Sequence, residues 1–473
     1  MFCLSDIKEC KEVFAFFKEI SDIPHGSGHT DAIADYLVSF AQARGLSYYR
    51  DAANNVLIRK GASAGYENHP TVILQGHTDM VLAKEPSCTK DMEREGLELY
   101  LDGDYLRAKG TTLGADDGIA VAYALAILDA DDLTHPPIEA LFTSDEEIGL
   151  LGAAALDPSV LKGSMLINID SDGEGCFTVG CAGGVRCDMQ LPMQPQPLAA
   201  QGYRVTVSGL NGGHSGVEIH KGRANALRLL GACLSRIDGV RIAALSGGSA
   251  DNAIAATAQA IVVSDASIMS TVDAFLAEAR TQYADTDAAL SITVEAADVR
   301  EAYTADDSAR MLCLLTDLPN GVIAMCEDPE GLVQTSLNCG VASLDADGFS
   351  LCVSVRSSLE DDKRALVNTL RALTEAQGGV FTTRGGYPAW EYRADSPLRE
   401  VACRVHEEMY GKPATTMVIH AGLECGVFAG KIPSFDSISL GPDNYDLHTP
   451  EEHLSVSSAI RVYHFLTELL RHL

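Results

Sequence analysis

The sequence predicts an α/β protein whose mixed, mostly parallel sheet is interrupted by an inserted α+β lobe of two similar subdomains. Three observations carry this reading. Residues 1 to about 180 alternate apolar runs with helical patterns, the mark of parallel strands joined by helical crossovers. From about 185 to 390 the pattern becomes strand, helix, strand, strand, repeated roughly twice. After Trp390 the first pattern resumes. The expected division is therefore 1–184 with 391–473 as one discontinuous domain and 185–390 as the lobe. A chain of 473 residues is long enough for more than one core.

The elements follow in order. The N-terminal stretch MFCLSDIKECKEVF reads as an amphipathic helix, since its early acidic residues and missing cleavage site argue against a signal peptide. Residues 71–75 (TVILQ) form a buried-strand run ending at Gly76, His77, Thr78 and Asp79. Residues 119–128 (IAVAYALAIL) are a small-residue apolar helix that begins just after Asp116, Asp117 and Gly118. Residues 139–143 (EALFT) are a strand ending in Ser144, Asp145, Glu146 and Glu147, and 165–169 (MLINI) is another ending at Asp170. The segment 191–198 (LPMQPQPL) holds three of the 17 prolines and reads as an inter-domain linker or a sheet edge. In the lobe, YRVTVSG and a helix over 225–237 belong to one half, and FSLCVSVRSS and a helix over 363–377 to the other. A helix over 397–410, a loop carrying His448 and an amphipathic helix over 456–473 return to the first domain.

Composition narrows the function classes. With 35 basic against 66 acidic residues the formal net charge is -31, which repels nucleic acid and anionic lipid. Hydrophobic residues make up 46%, a globular value, yet no run of about 18 uncharged apolar residues suggests a membrane span. The 13 cysteines show no zinc-finger spacing, and free thiols without a signal sequence point to the cytoplasm.

The chemistry gathers at strand ends. His77 with Asp79, Glu146 with Glu147, and Asp170 each terminate an apolar strand, where the ligand crevice of a parallel sheet opens. Asp116 sits in a Gly-flanked turn before a helix, and His448 in the loop before the last one. Taken singly, each has an ordinary reading as a turn former, a helix cap or a surface histidine. Their coincidence is what points to a metal site. Imidazoles with carboxylates suit zinc or manganese, and five such groups suggest two ions. Gly183-Gly184 and residues 247–249 (GGS) lack the Lys-Ser/Thr sequel of a phosphate loop, and no Gly-x-Ser-x-Gly elbow supports a serine hydrolase.

The motifs GHTDMV (76–81), GTTLGADDGIA (110–120), SDEEIGLLGA (144–153), NIDSD (168–172), GGHSG (212–216), IHAGLECG (419–426) and LHTPEE (447–452) occur in this order. Together they resemble the aminoacyl-histidine dipeptidases, also called Xaa-His dipeptidases or peptidase D, over essentially the whole chain. These belong to the co-catalytic zinc peptidases, with peptidase T, acetylornithine deacetylase and carboxypeptidase G. The resemblance implies a zinc-peptidase catalytic domain carrying a lid lobe. It implies two divalent metal ions, zinc foremost, with manganese or cobalt as alternatives. His77 and Asp170 would hold one, Glu147 and His448 the other, and Asp116 would bridge them. Glu146 would be the general base towards a water activated between the ions. Asp79 would orient the His77 imidazole.

The resemblance also implies substrate contacts from the lobe. His214 would help polarise the scissile carbonyl, and Arg356 would pair with the substrate's C-terminal carboxylate. Asn252 and His420 would line the substrate pocket, although Ala255 stands where the family pattern has a proline after NAI. His453 reads as a surface residue at a helix start. The expected function is hydrolysis of short unblocked dipeptides, Xaa-His among them, with the lobe closing over a small peptide substrate and no nucleic acid or membrane partner. Competing readings are a tripeptidase, a carboxypeptidase, an N-acyl-amino-acid deacylase or a non-catalytic binding protein of the same fold. A homodimer stays open.

Overall fold

Two amphipathic helices, α1 (Lys11–Ser21) and α2 (Asp31–Ala43), begin the computed structural model, which describes residues 7–265, 267–326, 331–345, 347–432 and 435–473. There follow β1 (Ser47–Arg50), β2 (Val56–Lys60) and β3 (Val72–His77), then the hairpin β4 (Leu99–Asp102) and β5 (Tyr105–Ala108). Next come α3 (Ala115–Asp129), β6 (Ile138–Thr143), α4 (Leu151–Ala155), β7 (Met165–Asn168) and β8 (Cys176–Cys181). Every residue of β3 and of β6 is buried, as befits parallel strands covered on both faces. Helix α3 is buried from Gly118 to Leu128, and its alanines let it lie close on β3. A Cβ at Gly76 would come within 2.5 Å of the Ala120 Cβ.

The chain then builds β9 (Gly183–Leu191), β10 (Gln196–Ser208), α5 (Ala226–Leu234), β11 (Arg241–Gly247) and β12 (Ala258–Val263). It continues with α6 (Met269–Gln282), β13 (Ser291–Ala302), α7 (Ala305–Asp317), β14 (Gly321–Met325), β15 (Val333–Asp345), β16 (Gly348–Ser357), α8 (Glu360–Ala376) and β17 (Val380–Tyr387). Among the described residues these strands form a nine-stranded sheet of order β13-β10-β12-β11-β15-β16-β9-β17, with β14 beside β15. Two halves share one topology. The run β10-α5-β11-β12-α6-β13 has the same strand order as β9-α7-β15-β16-α8-β17, and the first half is spliced into the second between β9 and α7. Residues of all four helices and of the sheet share one hydrophobic core.

The last elements are α9 (Pro397–Tyr410), β18 (Thr415–Ile419), α10 (Glu424–Lys431), β19 (Asp436–Ser439), β20 (Asn444–Tyr445), β21 (His453–Ser455) and α11 (Val456–His472). Helix α9 has Pro397 in its first turn, a Ser396 hydroxyl accepting from the Arg399 amide, and left-handed Gly411 at its end. Asp436 of β19 accepts from both Ser396 Oγ and the Leu398 amide, fixing that helix to the sheet. Among the described residues the early and late strands make an eight-stranded sheet, β1-β2-β6-β3-β7-β19-β8-β18, and a four-stranded one, β20-β21-β5-β4. Strands β6, β3, β7 and β19 are parallel, and the pairs β1–β2, β2–β6 and β19–β8 are antiparallel. The sheet is thus parallel at its centre and antiparallel towards its sides.

By contacts the chain divides into two units. One is Met1–Cys181 with Trp390–Val418 and Leu423–Leu473, and the other is Ala182–Ala389 with Ile419–Gly422. Gly183 and Gly184 already pair with Ser357 and Arg356, so the second unit starts slightly before the sequence reading begins it, and it also takes a four-residue return near 420. The proline-rich segment answers to the sheet-edge alternative and not to the linker. It lies within the second unit, as the turn from β9 to β10, where Pro197 pairs only with the edge strand β13 beside a register shift. Pro lacks an amide donor, so it marks a sheet edge as readily as a linker. Among the described residues no helix is long and apolar enough to cross a membrane.

Candidate metal centre

The carboxyl ends of the central strands place the first candidates. His77 closes β3, and Glu146 and Glu147 sit in the turn after β6. Asn55 pins that turn, its Oδ1 accepting from the Ser144 amide and its Nδ2 donating to the Gly152 carbonyl. Asp170 follows β7, Asp116 stands in the first turn of α3, and His448 lies between β20 and β21. All six belong to the first unit.

Asp116 joins two groups of donors. His77 Nε2 is 3.0 Å from Asp116 Oδ1 and 3.7 Å from Asp170 Oδ1. His448 Nε2 is 3.1 Å from Asp116 Oδ2 and 3.0 Å from Glu147 Oε1. The ligand atoms of His77, Asp116 and Asp170 lie within 4.8 Å of one another, as do those of Asp116, Glu147 and His448. A third overlapping set is His77 with Glu146 and Glu147.

The electrostatics suit a cation. Burial alone would lower His77, but hydrogen bonds that its ring donates to Asp116 and Asp79, and the charge of Asp170, raise it well above its usual value. Contacts with Asp116 and Glu147 push His448 up to about 10. Burial likewise lifts Asp170 well above the ordinary carboxylate range, and Glu146 to about 8, against the pull of His77 and with the push of Glu424 and Glu147. Glu147 Oε1 is buried and, among the described residues, without hydrogen-bond geometry to any donor. A concentration of carboxylates that gathers protons is one that divalent cations would occupy in their place. The donor set of imidazole and carboxylate fits two such ions with a shared carboxylate.

Asp79 meets the His77 ring in two ways. Its backbone carbonyl is 2.9 Å from His77 Nδ1, while its carboxylate Oδ1 stands 3.5 Å away. The carboxylate also accepts from the amides of Glu146 (2.9 Å) and Glu147 (3.3 Å) and from Ser27 Oγ (2.8 Å). Asp79 thus stands against the His77 ring with both main chain and side chain, and its carboxylate also holds the Glu146–Glu147 turn.

The lobe candidates form a separate cluster within the second unit. Ser336 and Arg356 are cross-strand partners, and His420 Nε2 is 2.7 Å from Ser336 Oγ, which brings His420 beside Arg356. Arg356 donates to the Tyr387 hydroxyl at 2.7 Å, while its Nε and the His420 Nδ1 are buried without a hydrogen-bond partner among the described residues. Burial and the Arg356 charge lower His420 to about 4, so its ring is neutral. His214 Nδ1 accepts from the amides of Gly216 and Val217, which puts the ring hydrogen on Nε2. The His214 turn touches this cluster, since a Cβ at Gly216 would fall 2.7 Å from the His420 carbonyl. Asn252 meets the same turn through its carbonyl, which accepts from the Ser215 amide, while its side chain is exposed. His453 is not at a helix start. It lies in β21, stacked on Tyr445 and edge-on to Tyr105, because the strand places all three on one face.

Three buried groups escaped the sequence reading. Glu424 begins α10 and accepts from Gln75 Nε2 (2.5 Å) and Thr143 Oγ1 (2.6 Å) beneath the strand ends. Asp117 accepts from the His77 amide at 3.1 Å. Glu452 reaches the turn that bears Asp116. Glu424 and Glu452 stand inside the motifs IHAGLECG and LHTPEE, but their partners lie hundreds of residues away, where local pattern gives no signal.

Residues 73–472 match the pattern of Peptidase family M20/M25/M40. The chain is 35% identical over 466 residues to the Cytosol non-specific dipeptidase of Escherichia coli (strain K12), covering 96% of each. It is similar to the crystal structure of aminoacylhistidine dipeptidase from Vibrio alginolyticus, with a TM-score of 0.90, 34% identity, and coverage of 100% of this chain and 98% of that one. A tripeptidase from Staphylococcus aureus shares the fold at a TM-score of 0.57 and 16% identity, with 98% of each chain covered. With its two donor triads, its shared Asp116 and a family pattern matched from residue 73 to 472, the chain belongs to peptidase family M20/M25/M40.

Proposed function

We propose that this protein is a metal-dependent dipeptidase that hydrolyses short unblocked dipeptides, Xaa-His among them. The observation that carries the reading is Asp116, each of whose oxygens faces a different histidine and a different donor triad. His77 with Asp170 would hold one ion, Glu147 with His448 the other, and Asp116 would be shared. When bound, such ions supply Lewis acidity, lowering the pKa of a water and polarising the scissile carbonyl.

The chain's own residues perform the proton work. Glu146 is held by the Asp79 carboxylate through its amide, and its raised pKa suits an acid–base group near neutral pH. It takes the proton of the attacking water as oxygen bonds to the carbonyl carbon. It returns that proton to the amine nitrogen as the C–N bond breaks. His214, with its hydrogen on Nε2, is a donor towards the carbonyl oxygen, and the Arg356 fork is the partner for the C-terminal carboxylate. Asn252 and His420 serve the same substrate. Zinc as the resident metal and a cytosolic setting belong to this proposal. The latter is supported by the absence of any disulfide among the twelve described cysteines.

The test is turnover of β-alanyl-histidine and a dipeptide panel, beside tripeptides and acetylated amino acids, before and after chelation. Chelator-sensitive cleavage of dipeptides alone is the expected result. Preferred cleavage of tripeptides or acetylated substrates would replace the dipeptidase reading with one of its competitors. Glu146→Gln should retain metal and lose about 10³-fold or more in kcat, and an unchanged rate would remove Glu146 from its role.

A further inference from the structure

One carboxylate in this protein gathers four consecutive backbone donors. Glu452 Oε2 accepts from the amides of Leu113 (2.7 Å) and Gly114 (3.0 Å), and Oε1 accepts from those of Ala115 (2.8 Å) and Asp116 (3.3 Å). These N–H groups lie in the turn that leads into α3, where Gly114 is left-handed and Asp116 and Asp117 depart from helical backbone angles. Such donors have no partner within the helix, and their summed dipoles favour a negative charge. Glu452 supplies that charge from more than 330 residues away, with only 2% of its surface exposed. Both of its oxygens are occupied, so it is not itself a metal ligand.

Its own backbone belongs to the turn that carries His448. The Glu452 amide donates to the Thr449 carbonyl, the Glu451 amide to Thr449 Oγ1, and Thr449 Oγ1 to the Asp446 carbonyl. One side chain therefore ties the segment presenting Asp116 to the segment presenting His448. These are the two residues whose Oδ2 and Nε2 stand 3.1 Å apart. Neither segment has regular backbone at this point: Asp116 and Asp117 are non-helical, and His448 has φ 62° and Asp446 φ 54°.

We propose that Glu452 is a positioning residue, whose grip on the Leu113–Asp116 amides sets the placement of Asp116 relative to His448 and thereby the affinity of the second metal ion. The inference rests on the metal-centre reading above. An amide at this position accepts with one oxygen only and turns its NH₂ towards N–H donors. The turn then opens, and Asp116 loses its fixed distance from His448. Groups that orient metal ligands change affinity or rate by about 10–100-fold when removed.

The experiment compares Glu452→Gln with Asp104→Asn. Asp104 also holds the last segment of the chain, through Ser455 Oγ and the Ser457 amide, but bonds none of the 113–116 amides. Stoichiometry and affinity for zinc, the cobalt(II) absorption spectrum, kcat, KM and the melting temperature of the chelated protein are read for each. Expected for Glu452→Gln is one tightly held ion, a second equivalent weakened 10–100-fold, an altered cobalt spectrum, and a fall in kcat with KM nearly unchanged. Asp104→Asn should lower the melting temperature alone. Wild-type metal affinity and spectrum in Glu452→Gln, or equal losses in both variants, overturn the proposal. Should Glu452→Gln not fold, Glu452→Asp, which keeps the charge and shortens the reach, is read against the same outcomes. Because metal affinity is measured apart from turnover, a protein that binds two ions yet cleaves no dipeptide would sink the dipeptidase reading and leave this one standing.

Discussion

The carboxyl of Glu424 illustrates what a single side chain costs when it is buried under a metal-binding rim. Its Oε2 accepts two hydrogen bonds, while its Oε1 is buried with no partner among the described residues. Burial raises its pKa to about 7, with Asp79 adding and His77, Thr143 and Gln75 opposing. The folded state therefore holds a proton that the unfolded chain releases near pH 4.5, and stability falls as pH rises from there to about 7. Glu424→Gln removes that slope. In chelated protein its unfolding free energy should gain about 2–3 kcal/mol on the wild type between pH 5 and pH 8. Parallel pH profiles in urea denaturation would rule this out. None of this was legible in the sequence, where Glu424 is one acidic residue inside the motif IHAGLECG. The places of His77, Asp116, Glu147 and Asp170 were legible, because apolar runs and Gly-flanked turns announce their own ends, while His448 stood out only as a histidine in the loop before the last helix.

At the scale of elements, the close seat of α3 on β3 is what brings Asp116 and Asp117 to His77. Gly76 makes it possible, since a Cβ there would stand 2.5 Å from the Ala120 Cβ and 2.6 Å from Asp117 Oδ2. Gly76→Ala should cost about 1–3 kcal/mol in denaturant unfolding and weaken metal binding together with it. A variant of wild-type stability would show that the helix can slide aside. The strands ending at His77, Glu147 and Asp170 were readable from short buried runs, and α3 from its unbroken apolar stretch. Two readings could not be settled locally, for a common reason: the linker-or-edge choice at 191–198 stayed open and His453 was misplaced. The prolines at 191–198 and the position of His453 were judged by local composition, whereas pairing of β10 with β13 and of β21 with β5 decided them.

For the whole molecule, a net charge of -31 and a cluster of inward-facing carboxylates make cations part of the stability. Chelation should lower the melting temperature by roughly 5 °C or more, and zinc should restore it. Raising salt from about 0.05 to 0.5 M should recover part of the loss in the chelated protein by screening self-repulsion. A melting temperature indifferent to both would mean that the carboxylates are neutralised within the fold. The repeated order of the lobe was legible as two similar halves, but not the splice of one half into the other. Periodicity shows elements, while nesting depends on which strands pair at a distance, as at Ser246 with Ser343.

Strand β19 has a consequence for how the molecule is made. It lies between β7 and β8 in the sheet, yet more than 250 residues separate it from both in the chain. A ribosome emits β7 and β8 first and the entire lobe next, so a nascent chain carries a vacant slot in the middle of its central sheet for much of its synthesis. Chaperone capture of that open slot, or trapping by a neighbouring nascent strand, is the hazard set by this order. A message cut short before residue 436 yields a chain with a folded lobe and two unguarded strand edges.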